Sequence, residues 1–166
     1  MSGYHLLGLV TAAGGGLSAS DLAELTDLPV YDIEENLQTV AGRTFTSRTS
    51  QWQPDKSPTV YVLGHEELQV AAAASLGKNR LGGYRERLHN WVDSYRQRGW
   101  PANTPEYLLC GYFRVLFGET DLPRLVACAT DHQRHDRMLD ITGGDTAALT
   151  EIATFRTFFS VLPSLT

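Results

Sequence analysis

Cysteine is scarce in this sequence, and the features of exported and membrane proteins are missing. The 166 residues include two cysteines, Cys110 and Cys128, and neither has a second Cys or a His at metal-ligand spacing. This argues against a metal site built on cysteine and predicts two buried thiols in a reducing cytosol. No apolar run reaches the ~18 residues that span a bilayer. Because residues 1–16 contain no Lys or Arg, we expect no secretory signal and predict a cytoplasmic protein without membrane contact.

Basic residues are too few for a dedicated nucleic-acid binder, and catalytic motifs are missing. Fourteen Lys and Arg stand against 19 Asp and Glu, which gives a net charge of −5, whereas nucleic-acid binders carry a basic excess. Neither AAGGGLS (12–18) nor TGGDTAAL (142–149) has the Gly-Lys-Ser/Thr ending of a phosphate loop. No Ser-His-Asp order, carboxylate pair or Cys-His pair indicates catalysis. We therefore predict no enzyme, no metal and no small-molecule substrate.

What the sequence does contain is a helical pattern that changes near Gly64. With 42% hydrophobic and 20% charged residues, the chain can form a packed core in one domain or two small ones. Residues 1–64 predict three short helices and then two strands, which is the order of a winged helix with a two-stranded wing. Ser18, with Asp21 three residues later, predicts the N-cap of the second helix. The strands are predicted over 44–49 and 59–63, and Gly42 is predicted to end the third helix.

Residues 65–166 predict helix after helix, which is typical of the start of a helical-repeat or solenoid-like array. The predicted helical segments are 65–77, 81–99, 103–118, 120–130, 130–144 and 146–159. Thr104, Asp121 and Asp145 are the predicted N-caps, and Trp100 is expected to fill a gap between two helices. The predicted fold class is mainly α. A winged-helix domain covers 1–64, and a helical-repeat region with an apolar C-terminal tail covers 65–166.

A winged helix leaves a second function open, that of a DNA-binding transcriptional regulator. The third helix would enter the DNA groove, but it carries Asp32, Glu34 and Glu35, which phosphates repel. Packing against protein is therefore the favoured role of this unit. The wing carries three basic residues, Arg43, Arg48 and Lys56.

The segment DHQRHDR, residues 131–137, is the densest polar cluster. His132 and His135 could share a helix face, but a metal site needs a third ligand at a matched spacing, and none is present. Arg134 and Arg137 would also repel a cation. The favoured interpretation is a solvated polar helix end. The alternative is an ion pair that joins this helix to the next.

Taken in order, several segments resemble the STAND class of signalling NTPases, and in particular the large NACHT-type ATPases of actinobacteria. After the winged helix these segments are YVLGHEELQVAAAASLG, YRERLHNWVDSYRQRGWPANTPEYLLCGYFRVL and LVACATDHQRHDRMLDITGGDTAAL, so the likeness covers about residues 5–152. In that family an NTPase domain precedes the winged helix, and a helical region and a repeat sensor follow it. The resemblance implies a middle segment without the NTPase and propeller domains. ATP or ADP would belong to the parent protein, and no cofactor is expected here.

The resemblance also singles out His65. In the family a histidine at the end of the winged helix reaches the β-phosphate of bound ADP, within a pattern like Phe-x-His-x-x-x-Gln. The stretch LGHEELQ (63–69) matches at His65 and Gln69. This implies an ADP sensor that works only with an NTPase domain as the protein partner. We expect His65 at a helix N-terminus with its ring exposed. The alternative is a helix-start residue bonded to a nearby carbonyl.

The tail, residues 153–166, becomes more apolar as the family pattern fades. Phe155, Phe158 and Phe159 have helical spacing. We expect the tail to fold back onto the preceding helices or to pair with another copy of the chain, which makes weak self-association the second partner prediction.

Overall fold

A computed structural model describes residues 3–40, 45–48, 52 and 59–161, and this part of the chain is mainly helical with one small antiparallel sheet. The helices are α1 (Gly3–Ala13), α2 (Ala19–Thr26), α3 (Val30–Val40), α4 (Glu66–Gln97), α5 (Glu106–Leu109), α6 (Gly111–Glu119), α7 (Leu122–Ala129), α8 (His132–Thr142) and α9 (Thr146–Val161). The strands are β1 (Leu17–Ser18), β2 (Phe45–Arg48) and β3 (Val60–Leu63). The predicted mainly α class, with three helices before a ribbon, is confirmed.

The sheet has three strands where the sequence predicts two. β2 and β3 pair antiparallel with Phe45 opposite Leu63, which confirms the predicted ribbon. β1 lies on the other side of β3, with Leu17 opposite Tyr61. Two residues are too few to leave an alternating pattern, so the sequence does not predict β1. The predicted Gly42 cap and the turn at 53–58 lie outside the described residues.

The glycine run 14–16 is a turn that brings β1 onto the sheet. All three glycines have positive φ, between 71° and 93°, which a residue with a Cβ rarely adopts. The N–H of Gly16 donates to the carbonyl of Tyr61 at 2.9 Å. The sequence predicts only a helix break here, and the structure shows that the break also sets the register of β1.

α2 begins with the cap that the sequence predicts. The Ser18 hydroxyl oxygen accepts a hydrogen bond from the N–H of Asp21 at 3.1 Å, and the Asp21 carboxylate accepts one from the N–H of Ser18 at 2.9 Å. These reciprocal bonds satisfy two backbone donors that have no partner inside the helix. α3 then begins at Val30.

One hydrophobic cluster contains residues from both sides of Gly64. Leu9 and Leu22 from the first segment are fully buried in it together with Leu88 and Leu125 from the second. α1 packs along α4, which makes the largest contact between these segments. The division into domains 1–64 and 65–166 remains a prediction.

α4 is bent at Gly77, where the sequence predicts a boundary between two helices. Gly77 has φ 75° and ψ 164°, which lie outside the helical region. Beyond the bend, the predicted apolar face is buried in the core; it consists of Tyr84, Leu88, Trp91, Val92 and Tyr95.

The segment predicted as one helix over 103–118 is two helices, and its predicted N-cap is wrong. α5 begins at Glu106 with Pro105 in the cap position. The Thr104 hydroxyl donates instead to the carbonyl of Pro101 at 2.6 Å. The break between α5 and α6 lies at Cys110, with φ −128° and ψ −50°. An apolar pattern continues through such a break, so the sequence does not reveal it.

The start of α7 and the end of α8 are each set by a single residue, as the sequence predicts. Asp121 caps α7 as predicted, because its carboxylate accepts the N–H of Arg124 at 3.3 Å. Gly143 ends α8 with φ 74°, also as predicted. No helix in the described ranges is both long and apolar enough to cross a bilayer.

The tail partly folds back, as the sequence predicts. Phe155 packs against the core, and the ring of Phe158 meets the ring of Phe117 edge to face with centroids 5.2 Å apart. Phe159 stays 44% exposed. Residues 162–166 lie outside the described part.

Candidate functional site

His65 occupies the N-cap position of α4, between the sheet and the helices that follow it. Its backbone is extended, with φ −144° and ψ 148°, and its side chain makes no capping hydrogen bond. The residue is exposed. Its carbonyl accepts the N–H groups of Leu68 and Gln69 at 3.0 and 3.2 Å. The predicted position and exposure of His65 are confirmed, while its role remains a prediction.

Gln69 anchors the start of α4 to α1. Its side-chain amide donates to the carbonyl of Thr11 at 2.8 Å. The Thr11 hydroxyl donates to the carbonyl of Leu7 at 2.6 Å. The first turn of α4 is thereby held against α1, so that His65 projects from a fixed point.

Two carboxylates affect what His65 can bind. Glu66 and Glu67 lie in the first turn of α4, and both are exposed. They are favourable there because the positive end of the helix dipole attracts negative charge. The same two charges repel a phosphate group that approaches His65 from water. A second protein surface would have to supply cations before an anion could bind next to His65.

The outer side of α3 is acidic and carries one prominent aromatic ring. Asp32, Glu34 and Glu35 are exposed, and Tyr31 in the first turn is 73% exposed. Residues 1–42 contain six carboxylates and no Lys or Arg. An exposed tyrosine surrounded by carboxylates suits contact with a basic protein surface better than contact with phosphates.

A second acidic region, which the sequence does not predict, is a cleft between α2 and the loop before α5. Its cavity of about 440 Å³ is lined by Asp21, Glu24 and Glu106, and by Tyr95. The Tyr95 hydroxyl donates to the Glu24 carboxylate at 2.8 and 3.0 Å. Burial raises the pKa of Asp21 to about 6, although hydrogen bonding to Ser18 lowers it. Residues more than 80 positions apart in the chain meet here, so no sequence spacing reveals the cleft.

The segment 131–137 contains a buried ion pair. The Arg134 side chain is fully buried, and its guanidinium donates to both Glu151 oxygens on α9, at 2.6 and 2.8 Å. It also donates to the carbonyl of Leu109 at 2.7 Å. The solvated interpretation is wrong for Arg134, and the ion pair to the next helix is confirmed. His132 is exposed, in keeping with a solvated face at that position.

Trp100 is tied to the same region. It is fully buried, as the prediction of a filled gap requires. Its indole N–H donates to the Asp131 carboxylate at 2.8 Å, and its carbonyl accepts the Arg137 guanidinium at 2.8 Å. Asp131 and Arg137 thus hold the start of α8 against Trp100, which follows the end of α4.

The two cysteines are unpaired thiols. Cys128 is fully buried as predicted, whereas Cys110 is half-buried. Burial raises the pKa of Cys110 to about 11, so its thiol is protonated at neutral pH. In the ranges that the structure describes, no three His, Cys, Asp or Glu residues are grouped to hold a metal ion.

Comparison with protein-family models, with curated proteins and with solved structures finds no match for this chain. The likeness to the STAND class therefore rests on the sequence segments alone.

Proposed function

We propose that this chain is a non-catalytic regulatory and scaffold module, which packs against a nucleotide-binding protein domain and relays its nucleotide state to a sensor. In this proposal residues 1–64 act as a winged helix and residues 65–166 as the first repeats of a helical array. The observation that carries the proposal is the exposed ring of His65 at the start of the helix that joins the two parts.

The order of elements supports a winged helix. Helix, strand, helix and helix precede two paired strands, and the first strand pairs with the last. His65 follows the last strand after a single residue, Gly64. A histidine in this position lies at the edge of the unit, where a docked domain could place a phosphate against it.

The packing contacts that continue from the start of α4 into the other helices support a relay. Gln69 fixes the start of α4 to α1, and the hydrophobic cluster continues from α1 through α4 to α7. The pair Arg134–Glu151 joins α8 to α9 beyond that cluster. A shift imposed at His65 would move a packed body rather than a loop.

The proposal can be tested with an isolated NTPase domain of the STAND class, loaded with ADP, and the full chain. Calorimetry should show tighter binding to the ADP-loaded domain than to the nucleotide-free domain. His65→Ala should remove that difference, because it removes the contact with the β-phosphate. His132→Ala, which changes another exposed histidine on α8, is the matched control. Equal behaviour of His65→Ala and the unchanged chain would overturn the proposal.

The alternative function is a DNA-binding regulator, and one observation favours it. Arg48 is exposed on β2, in the ribbon that would be the wing; Arg43 and Lys56 lie outside the described residues. The exposed carboxylates of α3 oppose this function. Tight, salt-sensitive binding to duplex DNA at low salt, lost in Arg48→Gln, would favour the DNA-binding alternative.

A further inference from the structure

A basic segment at the C-terminal end of α4, including its C-cap, contrasts with the acidic character of the chain. Residues 78–98 contain six Lys and Arg and two carboxylates, although the whole chain has a net charge of −5. Arg80, Tyr84 and Arg87 are spaced four and three residues apart, so they lie on one face of α4. Of these residues, Tyr84 contacts His5 of α1, which packs along α4.

A cavity opens where these residues meet α1. It has a volume of about 590 Å³ and is lined by His5, Arg80, Gly83, Tyr84 and Arg87. No carboxylate lines it within the described part of the chain. Two arginines and a histidine therefore border one solvent-accessible space, where positive charge favours an anion.

The imidazole of His5 is held in place by Tyr84. The His5 Nδ1 and the Tyr84 hydroxyl lie 3.0 Å apart, and the two rings meet edge to face with centroids 6.1 Å apart. Tyr84 is itself buried, and its ring lies so close to Gly8 that an added Cβ there would overlap it. With Nδ1 engaged, the remaining ring nitrogen of His5, Nε2, is left to contact a ligand.

Arg87 differs from most arginines of the helical array. Five others form ion pairs with carboxylates; they are Arg85, Arg96, Arg124, Arg134 and Arg137. Arg87 is exposed and forms no salt bridge within the described ranges. Its charge at the cavity is therefore not neutralised by a neighbouring carboxylate.

Gly82 and Gly83 leave the helix surface open beside the cavity. Gly82 and Gly83 lie within α4, where glycine is unfavourable compared with alanine. An added Cβ at either position meets no heavy atom within 4 Å, so packing in the described part does not require glycine there. Gly83 lines the cavity. Without a side chain there, a ligand can approach the helix backbone closely.

We propose that His5, Arg80 and Arg87 bind a small ligand that carries phosphate groups. Guanidinium groups match the oxygens of a phosphate with paired hydrogen bonds, and the charge of Arg87, which forms no salt bridge in the described ranges, attracts a phosphate group. Three donors from two helices suit a tetrahedral group, whereas one arginine satisfies a planar carboxylate. The cavity is open to solvent, so a diphosphate or a phosphate ester can also enter it. The site lies on residues other than His65 and does not depend on the role of His65.

The test is calorimetric titration of the full chain with inorganic pyrophosphate at constant ionic strength. We expect saturable binding to one site with a Kd below about 1 mM. Arg80→Gln and Arg87→Gln should each weaken binding by about tenfold, because each removes a charge-assisted contact. Arg156→Gln, which removes an exposed charge on α9, is the matched control and should bind as the unchanged chain does.

Two glycine variants separate binding from folding. Gly83→Ala places a methyl group in the cavity and should weaken pyrophosphate binding while raising the Tm. Gly82→Ala should raise the Tm without changing the affinity, because Gly82 does not line the cavity. Weaker pyrophosphate binding by a variant with a higher Tm cannot be explained by unfolding of that variant.

The alternatives have distinct outcomes. Absence of saturable pyrophosphate binding would overturn the proposal, as would equal loss of affinity in Arg87→Gln and Arg156→Gln. Phosphatidylcholine vesicles that contain phosphatidic acid, and duplex DNA, serve as further probes. Binding to either of these through Arg80 and Arg87, without binding of pyrophosphate, would assign the cavity to a membrane or to nucleic acid and reject the small-ligand site.

Discussion

Arg134 on α8 and Glu151 on α9 form a buried two-point ion pair, with Nη1–Oε2 at 2.6 Å and Nη2–Oε1 at 2.8 Å. The Arg134 side chain has no exposed surface and the Glu151 side chain is 10% exposed. Charges removed from water are costly unless they are paired and hydrogen-bonded. This pair therefore holds the last two described helices together only while both partners are present.

Arg134→Met should lower the free energy of unfolding by roughly 3–5 kcal/mol, because it leaves the Glu151 carboxylate buried without its partner. Adding Glu151→Leu should recover part of that loss. Urea unfolding of both single variants and the double variant gives the coupling energy between the two residues. If the double variant lost the sum of the two single losses, the pair would not be the source of the stability.

Asp21→Asn should change how stability depends on pH. Burial raises the pKa of Asp21 from 3.8 to about 6 in the folded chain. The protonated carboxyl is thus favoured by folding, and its contribution is complete below pH 3.8 and lost as the pH rises through 6. Relative to Asp21→Asn, the unchanged chain should lose roughly 2–3 kcal/mol across that window. If the free energies of unfolding of the two chains changed in parallel from pH 4 to 7, this prediction would be wrong.

Gly82→Ala should raise the free energy of unfolding by roughly 0.5–1 kcal/mol, because alanine is the better helix former and meets no neighbour. Gly8→Ala should have the opposite effect. A Cβ at Gly8 would overlap the buried ring of Tyr84, and overpacking costs about 1–3 kcal/mol. Thermal unfolding distinguishes the two variants, and a higher Tm for Gly8→Ala would show that Tyr84 does not pack as described.

The phenylalanines of α9 should differ in their effects. Phe158→Ala removes the edge-to-face contact with Phe117 and should destabilise the chain by about 1 kcal/mol or more. Phe159 is 44% exposed and contacts the ring of Phe155 with centroids 4.9 Å apart, so Phe159→Ser should lower the free energy of unfolding less than Phe158→Ala does. It should also reduce self-association, measured by sedimentation across a range of concentrations. A chain that is monomeric at every concentration would reject the predicted association of the tail.

His65 alone should bind nucleotide weakly. In an Arg80→Gln/Arg87→Gln background, where the basic cavity does not contribute, ADP should bind no tighter than roughly millimolar. His65→Ala should change the free energy of unfolding by less than about 0.5 kcal/mol, because the ring is exposed and makes no capping bond. Micromolar ADP binding in this background would show that the module recognises nucleotide without an NTPase domain.

The sequence by itself determined the features that depend on neighbouring residues. The Ser18–Asp21 cap, the Asp121 cap, the bend at Gly77 and the end of α8 at Gly143 all follow from the preferences of one or two residues within a single turn. The exposed position of His65 at a helix start is of the same kind, because a strand, a glycine and a helical pattern meet there.

Only the tertiary structure decided which polar groups face inward and which distant residues meet. Arg134 is buried because Glu151 and the Leu109 carbonyl are placed to receive it, and a helical period gives no sign of those partners. β1 forms because the glycine turn brings Leu17 to Tyr61. His5 lines the same cavity as Arg87 only because α1 packs along α4. These contacts depend on packing between segments far apart in the chain, whereas sequence patterns report each segment separately.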